Sequence, residues 1–110
     1  RRELGNKKGA IEDYNQVLRL NPNDALAYYN RGITRRELGN KKGAIEDYNQ
    51  VLRLNPNDAL AYYNRGITRR ELGDKKGALA DFQQSETLAR QQGNKKLSQS
   101  ARENSKKLQC

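Results

Sequence analysis

Residues 1 to 34 of this chain, RRELGNKKGAIEDYNQVLRLNPNDALAYYNRGIT, recur letter for letter as residues 35 to 68, and an edited third copy opens with RRELGDKKGALADFQQ at Arg69. Such a period marks a repeat architecture, in which each unit buries its apolar face only by stacking on its neighbours. Function is then to be sought on a surface presented more than once, not in one unique pocket. Of the 110 residues only 34% are hydrophobic and 32% are charged, so each unit can hold no more than a small core. Disorder is the competing reading of so polar a chain, and the helical spacing of its apolar residues argues against it.

One unit reads as two helices. Asn21-Pro22-Asn23-Asp24 joins a turn to an N-cap, because the Asp side chain can accept from the first free backbone amides. The sequence therefore predicts an A helix over Ala25 to Leu38, closed by a left-handed Gly39 and followed by Asn40 as the next cap. A B helix over Lys41 to Leu54 follows. Ala44, Ile45, Tyr48, Val51 and Leu52 lie on one arc of it and form its core stripe. On the A helix, Ala27, Tyr28, Arg31, Gly32 and Arg35 share one face, and Leu26, Tyr29, Asn30, Ile33, Arg36 and Glu37 share the opposite one. Both faces carry apolar groups, so contact on two sides, or a partner on one, is expected.

These positions resemble the tetratricopeptide repeat, written W-x2-L-G-x2-Y, A-x3-F, P. Here the pattern reads Tyr28-x2-Arg31-Gly32-x2-Arg35, then Ala44-x3-Tyr48, then Pro56, and it returns as Tyr62, Arg65, Gly66, Arg69, Ala78 and Phe82. The resemblance covers the chain to about Arg90. It implies an all-α fold: a right-handed α-solenoid of antiparallel helix pairs with a C-terminal capping helix, in one domain over residues 1–110. Within it, residues 1–22 are an incomplete first repeat, 23–56 and 57–92 are repeats, and 93–110 form the cap. Gly32 and Ala44 are small where the two helices of a unit would approach most closely. Arg31 and Arg35, with Arg65 and Arg69, depart from the family's Leu and Tyr. Burying either unpaired is costly, so their stems should pack while their heads reach the margin, with Asp47 and Asp13 as candidate partners.

The two ends are expected to differ. Arg1 to Leu4 reads as the last turn of an A helix and Lys8 to Leu20 as a B helix without its own partner. Ile11, Tyr14, Val17 and Leu18 would then be half covered and would favour self-association through this end. In the third copy Ser85 and Glu86 replace Val51 and Leu52, and Ala89-Arg90 replaces the Asn-Pro stop, so the last B helix should run on to about Gln92. A final helix from Lys95 to Leu108 should set Leu97, Ala101 and Leu108 inward and its lysines in solvent.

Catalysis has little to work with. The chain has no His, Met or Trp, no phosphate loop and no distinctive carboxylate pair, and its one thiol, Cys110, has no base to activate it. No enzyme activity, metal or cofactor is expected. Cys110 could join two chains or serve as a coupling handle. No apolar run reaches membrane-spanning length and no leader is readable, which predicts a soluble, cytoplasmic protein without membrane partners.

In proteins the chain resembles, A helices line a concave groove that receives an extended peptide. That implies a ligand surface of Leu26, Tyr29, Asn30, Ile33, Arg36 and Glu37, extended one period on by Leu60, Tyr63, Asn64, Ile67, Arg70 and Glu71. Asn30 and Asn64 match the family position whose amide holds ligand backbone, while the tyrosines offer rigid contact area and Arg36 and Arg70 can fork onto carboxylates. Leu26 and Ile33 stand at groove sites where the family's clamp for a chaperone tail needs other residues, so that specificity does not carry over. The expected role is a non-catalytic scaffold for a protein or peptide partner, acidic in character, or for self-assembly. Two alternatives stand beside it. The net charge of +9 allows nonspecific nucleic-acid binding, although identical repeats are ill suited to reading different bases. Perfect identity between copies also fits an engineered or recently duplicated array with no evolved ligand.

Overall fold

The computed structural model describes residues 2–109, with side chains from residue 5 onward, so Cys110 lies outside the described residues. Among them are six helices and no strand: α1 Arg2–Leu20, α2 Ala25–Glu37, α3 Lys41–Leu54, α4 Ala59–Glu71, α5 Lys75–Gln91 and α6 Lys95–Gln109. This is the all-α helical-repeat fold that the periodicity predicts. None of these helices is long and apolar enough to cross a membrane. The chain divides into two compact units, residues 1–55 and 56–110.

In the first unit α2 packs on both α1 and α3. Asp24 caps α2 by accepting from the Ala27 amide at 3.1 Å, which satisfies a donor that the first helical turn leaves unpaired. At its other end Gly39 turns left-handed at φ 89°. There the Asn40 amide donates to the Arg35 carbonyl at 2.8 Å and the Gly39 amide to Arg36 at 2.9 Å. Those two bonds are a Schellman closure. The Asn40 side chain then accepts from the Gly43 amide at 3.0 Å and starts α3. Ala27, Ala44, Tyr48 and Val51 are buried where α2 and α3 meet in this core. A Cβ on Gly32 would sit 2.9 Å from Tyr48 Cε1 and 3.2 Å from Asp47 Cβ, so the missing side chain is what lets these helices approach.

The second unit repeats the plan. Asp58 caps α4 and Asp74 caps α5, and Gly73 closes α4 at φ 87°. Without the Asn-Pro stop, α5 continues to Gln91 and ends at Gly93, φ 78°, where the Asn94 amide reaches the Ala89 carbonyl at 2.8 Å. Ala59, Leu88 and Ala89 cluster in its core with Tyr62 and Leu97 packed against them, and α6 buries Ala101. Ser85, which reads as a polar finishing residue in the sequence, is instead fully buried and donates to the Ala59 carbonyl at 2.8 Å.

One sequence expectation is overturned. α1 does not begin at Lys8 after a turn; it runs unbroken from Arg2 through Gly5 and Asn6 to Leu20. The same twenty letters at residues 35–54 break at Leu38 to Asn40. Identical local chemistry with two outcomes places the cause in packing. α3 has α2 folded back upon it, whereas α1 has no preceding helix among the described residues.

Candidate functional site

The two faces of each A helix have different fates. On the inner face of α2, Arg31 grips both oxygens of Asp47, through Nε at 3.0 Å and Nη2 at 2.8 Å, while its Nη1 donates to Asn15 Oδ1 at 2.8 Å. Arg35 Nη1 reaches the same carboxylate at 3.3 Å, and the Tyr28 ring lies 5.6 Å below the Arg31 guanidinium carbon. Asp47 is 1% exposed. Its hydrogen bond is the main cause that holds the Arg31 pKa above its ordinary value, against the opposing effect of burial. In the second unit Arg65 and Arg69 meet Asp81 at 2.8 and 3.0 Å over Tyr62. The arginines that depart from the family pattern are thus structural: two guanidiniums per buried carboxylate. Asp47 takes the role expected of it; from the preceding helix the partner is Asn15 rather than Asp13.

The opposite face carries the predicted ligand residues. On α2, Leu26 is 67% exposed and Glu37 is exposed, whereas Tyr29, Asn30, Ile33 and Arg36 are half-buried. Tyr29 rests on Tyr48 of α3 with ring centroids 6.2 Å apart, and Glu37 sits 3.9 Å from Lys7 of α1. The Tyr48 hydroxyl is buried without a hydrogen-bond partner. Burial pushes its pKa well above the usual phenol range, Tyr29 adds to the rise, and Arg36 opposes it.

On α4 the same set is Leu60, 43% exposed, with Tyr63, Asn64, Ile67 and Arg70 half-buried and Glu71 exposed. Tyr63 meets Phe82 edge-on at 5.6 Å, and Arg70 lies 5.5 Å over that ring. The Asn64 amide donates to the Leu60 carbonyl at 3.1 Å. The C-terminal helix α6 also reaches this face, for Asn104 accepts from Arg70 and donates to the Tyr63 hydroxyl at 3.1 Å. Sequence reasoning missed that contact. α5 ends three residues later, and α6 starts two residues later, than the 34-residue spacing would place them, which moves α6 out of register. Buried Thr34 and Thr68, whose hydroxyls bond the Asn30 and Asn64 carbonyls at 2.9 and 2.8 Å, also went unread.

Of the residues proposed for self-association, Ile11 and Tyr14 are half-buried, Val17 is 39% exposed and Leu18 is 8% exposed. Leu18 therefore belongs to the first unit's own core. Among the described residues no cluster of acidic, His or Cys side chains has a metal-binding arrangement.

Models of the tetratricopeptide repeat match residues 25–58 and 47–80, and a further TPR repeat model matches residues 1–39. The chain belongs to the tetratricopeptide repeat family. No curated protein sequence matches it. Among solved structures, PcrH of Pseudomonas aeruginosa, crystallised with the chaperone binding region of PopD, is 21% identical at TM-score 0.90, over 97% of this chain and 81% of that one. The Arabidopsis OM64 TPR domain is 29% identical at TM-score 0.80, over 94% and 81%. The first TPR of Spaghetti (RPAP3), bound to the HSP90 peptide SRMEEVD, is 24% identical at TM-score 0.75, over 89% and 82%. Tetratricopeptide membership with neighbours of this kind points to a protein-interaction module rather than an enzyme.

Proposed function

We propose that this tetratricopeptide protein is a scaffold whose two units each bind an extended segment of a partner protein, one on the outward face of α2 and the other on that of α4. One observation carries the reading: each face sets an exposed leucine, Leu26 or Leu60, beside a half-buried Tyr, Asn, Ile and Arg, while the arginines of the inner face close on buried carboxylates. Leucine offers apolar area to cover, the Asn amide suits a peptide group, and Arg36 and Arg70 favour carboxylates. An acidic partner fits best, and the PopD and HSP90 segments held by structural neighbours support a peptide segment as the ligand. The test is a fluorescence-polarisation screen of extended peptides graded in acidic and aromatic content, repeated with Asn30→Ala and Leu26→Asp. Loss of binding in both variants is expected; binding that ignores both contradicts the proposal.

Self-association is a second reading, favoured by the exposure of Val17, 39%, against 1% for Val51, its identical counterpart one repeat on. Light scattering across a dilution series with reductant present tests it. A mass that rises with concentration and falls back in Val17→Asp supports association through α1; a constant monomer mass contradicts it.

A further inference from the structure

Within the second unit, α6 departs from α4 at a residue that touches the outward face of α4. Asn94 caps α6 as Asp58 caps α4, each accepting from the amide three residues on. In that register Asn104 stands where α4 has Thr68. Thr68 is buried, and its hydroxyl donates to the carbonyl four residues back, Asn64, at 2.8 Å. Asn104 keeps the same kind of bond, from Nδ2 to the Ser100 carbonyl at 2.9 Å. It is longer and carries both a donor and an acceptor, so it reaches further than a threonine does. Its Oδ1 accepts from Arg70 Nη1, and its Nδ2 donates to the Tyr63 hydroxyl at 3.1 Å.

The direction of these bonds is dictated from one end. A guanidinium only donates, so the amide oxygen of Asn104 must face Arg70, and its NH2 group must face Ser100 and Tyr63. The Tyr63 oxygen therefore accepts. An NH2 group cannot take the phenol proton in return, so that proton is left to donate away from Asn104. The frame is braced by Phe82: Arg70 lies over its ring and Tyr63 meets the same ring edge-on. Tyr63, Arg70 and Asn104 are all half-buried.

We infer, on the reading of α4 as a peptide-binding face, that Asn104 is a positioning residue that sets the specificity of that face. By relaying polarity from Arg70 to Tyr63 it makes both of them donors toward the ligand, which selects an acidic side chain over its amide. A carboxylate accepts from both donors and balances the charge of Arg70, whereas an amide brings an NH2 group that meets a donor.

The experiment titrates paired peptides from the graded screen, alike except for Glu or Gln at one position, and reads saturation by NMR on the Asn64 side-chain amide. Wild type should prefer the Glu peptide by about fivefold or more. Asn104→Asp still accepts from Arg70 but cannot donate to Tyr63. The phenol proton then turns to the new carboxylate, Tyr63 offers lone pairs to the ligand, and the Glu preference should fall about tenfold. Added negative charge alone would also lower it, so the same change is made in Tyr63→Phe, where the fall should be no more than about threefold. Asn104→Thr, which installs the residue of α4 and keeps the bond within α6, should weaken the Glu peptide about threefold through lost preorganisation. A Glu preference unchanged in Asn104→Asp, an equal fall with and without the Tyr63 hydroxyl, or a threonine variant that binds as tightly as wild type would overturn the inference. Wild-type binding without a Glu preference overturns the inference alone, whereas binding of neither peptide overturns the reading of α4 and the inference with it.

Discussion

At the scale of single residues, the two units act as controls for each other. Tyr48 and Phe82 fill equivalent places, each against a helical glycine, yet only the tyrosine carries a hydroxyl, buried and without a partner. An unsatisfied buried polar group costs about 1–3 kcal/mol, so Tyr48→Phe should raise stability by about 1 kcal/mol, measured by urea unfolding. Alkaline titration gives an independent check. Because the folded pKa of Tyr48 is raised above the ordinary 10.0 of the unfolded chain, its contribution is full below that pH and is lost as pH rises through the folded value. Wild-type stability should therefore decline more steeply above about pH 10 than that of Tyr48→Phe. Asp47 is the opposite case, a satisfied group on which two arginines depend. Asp47→Ala leaves both guanidiniums uncompensated and should cost about 3–5 kcal/mol in the same assay.

At the scale of the helix, the same glycine in the same local sequence should respond with opposite sign. Gly39 sits at φ 89°, where a side chain is strained, whereas Gly5 lies in α1 with open space around it. Gly39→Ala should destabilise by about 1 kcal/mol and Gly5→Ala should stabilise by a similar amount. Chemical denaturation of the two variants checks this; a loss at Gly5 equal to that at Gly39 would mean that α1 is broken as α3's approach is. The pair also marks what was legible in the sequence. Caps at Asp24, Asn40 and Asp58 and the stop at Gly39 follow from short-range chemistry, so the bounds of α2 to α5 could be read to within a residue or so. The continuity of α1 could not, because helix or turn at Gly5 is decided by whether another helix folds back. Ser85 and Thr68 look like surface residues in a linear sequence, and only the packed unit shows each hydroxyl spent on a backbone carbonyl. Asn104 escaped because its reach to Tyr63 and Arg70 depends on the register that the longer α5 sets.

At the scale of the whole molecule, the proposed binding surface is a repeated one rather than a single pocket. The proposed ligand residues rest on the family resemblance, and periodicity alone separated the outward set from the set that meets Asp47. Arg31 and Arg35 close on Asp47, and Arg65 and Arg69 on Asp81, so these four arginines and two aspartates hold only +2 of the net +9. Peptide binding through Arg36 and Arg70 should weaken only a few fold between low and physiological salt, whereas nucleic-acid binding that displaces many counterions would lose orders of magnitude. The most direct test of the central claim is an NMR titration of the full chain with the tightest peptide from the graded screen, read on assigned side-chain amides and tyrosine rings. The account predicts shifts at Tyr29, Asn30, Tyr63 and Asn64, with Tyr28 and Tyr62 on the inner faces unmoved. Shifts centred on Tyr28 and Tyr62, or no saturable shift with any peptide, would contradict it.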